Sequence, residues 1–205
     1  MGELAARLDA DGIEVDVLVN NAGVGISGPF LDTTIGDWEW VIGVNLMGMI
    51  HGCREFVPPM IGRGRGHVVN IASGLGYVPT AGEPAYCATK AAVISISGST
   101  RADWHRSGVG VSVVCPGVIN TPIISRTRFR GVAAAESSRD RVDKLFRHGH
   151  SPEMVAAAVV TAVQRNRAFV AVGAEAHFGR LLRHLPAPAA DALNRLSADL
   201  RRSRS

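Results

Sequence analysis

The feature that most restricts the fold is a repeated alternation. Short runs rich in β-branched apolar residues, at 15–19, 67–71, 109–115 and 168–172, are separated by longer segments of helical character. Such runs show little of the wet-face alternation of an antiparallel strand, so they read as strands covered on both faces. Strands of that kind, linked by helix-length segments, form a parallel α/β sheet. The first run ends at Asn20-Asn21-Ala22-Gly23, the second at Ala72-Ser73, the third at Pro116-Gly117.

The intervening segments carry their own start and stop signals. Residues 3–10 read as the end of a helix stopped at Gly12. Thr34-x-x-Asp37 opens a helix whose apolar residues continue to about Ile61, and Pro58-Pro59 are expected to end or kink it. Pro84 begins a long helix through the Ala-rich run 85–105. Residues 118–150 read as irregular and polar, with a short helix near 137–147. Ser151-Pro152-Glu153 supplies a cap residue, a first-position proline and a first-turn acid for a helix reaching about Arg165. Residues 175–200 read as mainly helical, interrupted by Pro186 and Pro188.

Composition narrows the class further. With 46% hydrophobic and 20% charged residues in 205, the chain can build a core without staples, which excludes disorder and a disulfide scaffold. No apolar run approaches ~18 residues, and the N-terminus lacks the basic and apolar regions of a signal peptide, so no membrane is expected. Cys53, Cys87 and Cys115 show no metal spacing, which suits reduced, mostly buried thiols in a cytoplasmic protein. Residues 126–205 hold 15 Lys/Arg against 7 Asp/Glu, while residues 1–125 hold 7 against 11. No extended basic run is interleaved with aromatics as single-strand binding would want, so a solvated helical face is expected and nucleic acid is not.

Gly23-Val24-Gly25-Ile26-Ser27-Gly28 has the form G-x-G-x-x-G and follows a strand. A pyrophosphate site of that form must open a helix. Here Pro29-Phe30-Leu31 follows instead, so the match is read as a loop without that role. Tyr86-Cys87-Ala88-Thr89-Lys90 is more informative. Its i, i+4 spacing places phenol and ammonium on one helix face, with Cβ atoms about 5–6 Å apart. A nearby cation favours the phenolate and lowers the phenol from ~10 toward working pH, which makes a general acid/base for a carbonyl/alcohol pair. Taken alone, that spacing also suits an ordinary surface pair. Ser73 ends the second strand, and strand ends are where parallel sheets place ligands. Pro116-Gly117-Val118-Ile119-Asn120-Thr121 ends the third strand with exposed amides and a hydroxyl. His148-Gly149-His150 reads as loop, Cys87 as packing, and Trp38, Trp40 and Trp104 as interface or core.

Together, Asn20-Asn21-Ala22-Gly23, Asn45 in Val44-Asn45-Leu46, Ser73, Tyr86-x-x-x-Lys90 and Pro116-Gly117-x-x-x-Thr121 resemble the short-chain dehydrogenase/reductase family. The resemblance runs from residue 1 to about 175. It implies a Rossmann-like doubly wound parallel sheet and an oxidoreductase using NAD or NADP, which moves hydride between nicotinamide and a small-molecule carbonyl or secondary alcohol. It implies Tyr86 as acid/base, with Lys90 binding the nicotinamide ribose and lowering the Tyr86 pKa. Ser73 would orient the substrate oxygen, and Asn45 would hold a water in a relay to Lys90. Asn20, Ala22 and Gly23 would line the ribose region. Pro116, Gly117, Ile119 (through its backbone) and Thr121 would face the nicotinamide, and no metal is implied. Residues 122–150 would be a substrate lid. Helices at about 36–62 and 84–106 would form a homodimer or homotetramer interface.

The resemblance also has a gap. Residues 1–12 resemble the tail of the helix before the family's fourth strand, so the first three strands and the Gly-rich cofactor turn have no counterpart. The expectation is a single incomplete domain over 1–205. Its catalytic part would be 1–121, its lid 122–150 and its C-terminal helix-strand-helix 151–205. Weak or no NAD(P) binding is expected of the chain alone. The strand at 15–20 would become an open apolar edge. The competing expectation is a non-catalytic remnant acting through protein association.

Overall fold

The computed structural model describes residues 1–182 and, beyond them, Pro186, Pro188, Ala189, Ala192 and Arg195. The strands are β1 (Val17–Asn20), β2 (Ile26–Ser27), β3 (Gly66–Ile71), β4 (Val109–Pro116), β5 (Arg128–Phe129) and β6 (Phe169–Val172). The helices are α1 (Gly2–Ala10), α2 (Ile35–Ile42), α3 (Gly48–Arg63), α4 (Pro84–Asp103), α5 (Glu136–Arg147), α6 (Pro152–Gln164) and α7 (Ala174–Leu182). Half of the helical stretch expected over 175–200 lies outside the described residues. No helix among the described residues is long and apolar enough to cross a membrane.

The four runs read as strands form one parallel sheet in the order β1-β3-β4-β6. Successive side chains alternate between its faces. Leu18, Val68 and Val111 pack against Phe56, Val57 and Met60 of α3. Val113 meets Val93 of α4 on the same side. Val69, Val114 and Val172 face the other way, against Ala162 of α6. Helices on both faces explain why the runs are apolar throughout, and they make the sheet Rossmann-like as expected. β1 lies at the sheet edge. Its Val17 and Val19 project on the α6 side, where α6 reaches β3 and β4 but not β1, and each stays 42% exposed.

Thr34 and Asp37 form a full capping box at the start of α2. From α2 the helical path continues through a single π turn, Gly43–Met47, into α3. Pro58 and Pro59 do not end α3, which runs on to Arg63. They lie on its exposed face, as do Arg54 and Glu55 one turn earlier. Carbonyls that lose a helical partner there can be hydrated. The helix ends instead at Gly64, in the left-handed conformation.

Residues 118–150 are more ordered than their composition suggests. β5 pairs in parallel with β2. That pairing accounts for the glycine pattern at 23–28. A Cβ on Gly25 would lie 2.3 Å from Thr127 Oγ1, and one on Gly28 would lie 2.8 Å from Arg130 Cβ. Gly25 and Gly28 therefore allow the close approach of β5, and the motif does not open a helix. Beside this pairing, Asp37 binds Arg130 through both oxygens, Oδ2 to Nε and Oδ1 to Nη2, each at 2.7 Å. Arg128 adds a 3.2 Å contact to Asp37 and stacks 3.9 Å above the Trp40 ring. These bonds fasten the expected lid to the start of α2.

The Arg130 guanidinium beside Asp37 holds its carboxyl well below the usual carboxylate range, with the Thr34 cap and Arg128 acting in the same direction against burial. A carboxyl more acidic in the folded than in the unfolded chain contributes stability that is complete above about pH 4 and is lost as pH falls below it. Asp37→Asn should therefore cost about 2 kcal/mol near neutrality, or roughly 4–8 °C in Tm. The difference from the parent chain should shrink as pH is lowered toward 3 in thermal melts, because the unfolded chain's carboxyl takes up a proton there while the folded one stays ionised.

Candidate active site

The C-terminal ends of β3 and β4 open into a cleft of about 2020 Å³. This is where parallel sheets place their ligands. Ser73 leaves β3 in an extended conformation and caps the short turn Gly74–Gly76, its Oγ accepting from the Leu75 amide at 3.2 Å. Pro84 starts α4 at its first position. One turn on, Tyr86 and Lys90 face the cleft together with Ser73. The Lys90 Nζ lies 5.8 Å from the centre of the Tyr86 ring.

Lys90 is only 4% exposed, and its Nζ donates to the Ile71 carbonyl at 3.0 Å. An ammonium has three donors. Among the described residues the remaining two have no hydrogen-bonding partner, and Lys90 lines the cleft. Gly23 brings the loop after β1 against this ammonium, since a Cβ there would sit 3.5 Å from Lys90 Nζ and 3.6 Å from Asn45 Oδ1. Asn45 occupies the π turn, a distortion common at functional sites. Its amide bonds the Val24 backbone twice, accepting from N at 2.8 Å and donating to O at 3.0 Å. It also donates to Thr89 Oγ1 at 3.2 Å. Asn45 thus holds the Val24 loop beside Lys90 and anchors it to α4 through Thr89.

Ala22, Gly23, Pro116, Gly117, Ile119 and Thr121 line the cleft with Ser73, Tyr86 and Lys90. Asn20 does not. Its Nδ2 donates to Asn70 Oδ1 at 2.8 Å, within a chain that continues from Asn70 to Ser97 at 2.9 Å. Asn20 therefore ties β1 to β3 and α4. Cys53, Cys87 and Cys115 form no disulfide with one another, and the last two are buried. Trp104 packs on the core under α3.

Titration behaviour differs from the sequence expectation. Burial pushes the Tyr86 phenol up to about 12, although the Ser73 hydroxyl opposes the shift. Burial also brings the Lys90 ammonium down to about 8. Loss of hydration thus dominates the phenol, with Glu83 and Cys87 acting in the same direction. Near neutrality the phenol keeps its proton and the ammonium its charge, so the pair is set to donate to an oxygen placed between Tyr86 and Ser73.

Two site residues were missed by the sequence reading. Glu175, in the first turn of α7, accepts from the Val118 amide at 2.6 Å through Oε1. Its Oε2 lies 3.1 Å from His150 Nε2. Burial would raise the Glu175 pKa, but its own amide, the Val118 amide and His150 lower it overall. Gly117 permits this arrangement, because a Cβ there would lie 2.5 Å from Glu175. Glu175 and His150 thereby fix the turn after β4. Nothing local in the sequence marks them, as they are 25 residues apart and join only through the β6–α7 connection.

The cleft at the strand ends, the spare donors of Lys90 and the backbone wall at Pro116-Gly117 fit a nicotinamide riboside. A parallel Rossmann-like sheet bearing Ser73, Tyr86 and Lys90 at this position defines a nucleotide-dependent oxidoreductase class. A family model described as short chain dehydrogenase matches residues 1–130, and the chain belongs to that family. It is 38% identical over 179 residues to a probable oxidoreductase, EphD, of Mycobacterium tuberculosis, covering 84% of this chain and 30% of that one. The chain thus spans less than a third of the length of this relative. Its structure matches a short-chain dehydrogenase from Streptomyces avermitilis with a TM-score of 0.78 at 30% identity, covering 100% of this chain and 77% of that one. It matches a short-chain dehydrogenase/reductase from Burkholderia phymatum, solved in complex with NAD, with a TM-score of 0.73 at 31% identity, covering 96% and 69%.

Removing the Glu175 carboxylate leaves the Val118 amide without its acceptor. Glu175→Ala should cost about 1 kcal/mol, read as a lower midpoint in urea unfolding. Glu175→Gln, which keeps an acceptor oxygen, should recover about half of that loss.

Proposed function

We propose that this chain carries the catalytic, nicotinamide-facing part of an oxidoreductase that interconverts a secondary alcohol and its ketone with NAD or NADP. The observation that carries the reading is the convergence of Ser73, Tyr86 and Lys90 at the C-terminal end of one parallel sheet. When bound, the nicotinamide supplies or takes up the hydride.

The chain's own residues handle position and protons. The Ser73 hydroxyl donates to the substrate oxygen and fixes its place. The Tyr86 phenol gives its proton to that oxygen in reduction and takes it back in oxidation. The two spare Lys90 donors hold the ribose hydroxyls, and its charge lies 5.8 Å from the centre of the Tyr86 ring. Asn45 is a positioning residue, keeping the Val24 loop against Lys90. The turn at Pro116-Gly117, with Ile119 and Thr121, borders the nicotinamide ring. These residues address only the nicotinamide half, which NAD and NADP share, and the reading covers both.

Tyr86→Phe should lower turnover of a ketone panel by about 10²–10⁴-fold at millimolar cofactor, with cofactor affinity measured by NADH fluorescence unchanged. A phenol titrating near 12 predicts a second result. Ketone reduction should stay flat between about pH 5 and 7 and fall above about pH 8 as Lys90 loses its charge, while alcohol oxidation rises up to about tenfold per pH unit below that point. Retained turnover in Tyr86→Phe would overturn the reading.

A further inference from the structure

The lid-side walls of the cleft have an unusual composition. α5 contributes no buried residue to the core. Its apolar residues Val142, Leu145 and Phe146 follow the i, i+3, i+4 spacing of one helix face, and all three line the cleft. Charged residues occupy the remaining surface, with Arg147 Nε 2.7 Å from Asp143. α6 repeats the arrangement. Val155 and Val159 pack partly on the sheet, and Val160, one residue further round the helix, borders the cleft without joining that core. Leu145 is 56% exposed and Val160 54%, although both stand in a concavity. Neither is explained by packing within the described chain.

The apolar wall is continuous with the catalytic groups, since one cleft holds Ser73 and Tyr86 as well as Leu145 and Val160. Its volume of about 2020 Å³ exceeds the ~300–1,000 Å³ of ordinary ligand pockets, which leaves room beside a nicotinamide nucleotide. The lid-side cations of the cleft, Arg126 and Arg141, are exposed to solvent.

We propose that the substrate carries an extended apolar chain on its carbinol carbon, as in a medium- to long-chain secondary alcohol or the corresponding ketone. This rests on the reading of Ser73 and Tyr86 as the site of the substrate oxygen. The oxygen sits at the strand ends, and the chain runs along the α5 and α6 stripes, covering Leu145 and Val160.

The test is binding of 2-butanone, 2-hexanone, 2-octanone and 2-decanone to the full chain, measured by ligand-detected NMR in the presence of NADPH or NADH analogues that cannot transfer hydride. Affinity should rise up to about three- to fourfold per methylene. Leu145→Ser and Val160→Ser, both at solvent-accessible positions, should each flatten that slope with little change in Tm. An affinity independent of chain length in the parent protein, or an unchanged slope in both folded variants, would overturn the proposal. Turnover is scored separately. A steep binding slope without turnover would sink hydride transfer and leave the apolar subsite standing. Turnover with a flat slope would sink the subsite alone.

Discussion

The site is organised around the buried ammonium of Lys90. A cation with 4% exposure is costly unless its donors are met. Ile71, the last residue of β3, meets one of them with its carbonyl. That carbonyl lies at the end of β3, one residue beyond the last β1–β3 pair, Asn20 with Asn70. The rest of α4 must then be held in register. Ala85, Thr89 and Val93 are buried on the same helix, and Thr89 Oγ1 accepts from Asn45 in the π turn. Gly76 completes the enclosure, because a Cβ there would lie 2.8 Å from the Lys90 carbonyl. Sheet register, helix packing and two loops therefore converge on one charge.

This dependence explains which parts of the molecule could be read from sequence. The strands were legible because burial on both faces leaves a local composition. Tyr86 and Lys90 were legible because helical spacing is itself local, and Ser73 because it follows a strand directly. Features that rest on distant partners were not. Asn20 reads like a ligand-facing residue after a strand, yet Asn70, 50 residues on, takes its side chain. The glycines at 25 and 28 imitate a phosphate loop, and their reason lies in Thr127 and Arg130. Pro58 and Pro59 look like helix breakers until the exposed face of α3 is known. The expected lowering of the Tyr86 pKa failed for a related reason, since the extent of desolvation depends on the assembled cleft.

The cleft has two characters that arise from different layers of the fold. Its polar end belongs to the sheet and α4, elements built from contiguous core residues. Its apolar end belongs to residues 122–160, where helices turn their apolar faces toward open space. This division suits a site whose proton chemistry is fixed while its substrate wall is free to vary. Turn geometry at the junction is held by Glu175 and His150, outside both sets.

The two halves nevertheless share a mechanical element. Asp37 at the start of α2 receives Arg128 and Arg130 from the lid. The same helical path, less than two turns later, enters the π turn that carries Asn45. Asn45 in turn fixes the Val24 backbone, two residues before β2, and β2 pairs with β5 of the lid. A closed circuit results, from lid to α2, to the π turn, to the loop beside Lys90, and back through β2 to the lid. Within such a circuit the lid cannot shift by a full residue without breaking either the Asp37 pair or the β2–β5 register. Residues 128–130 are thereby held at a set distance from the loop beside Lys90, on the same cleft as Ser73 and Tyr86.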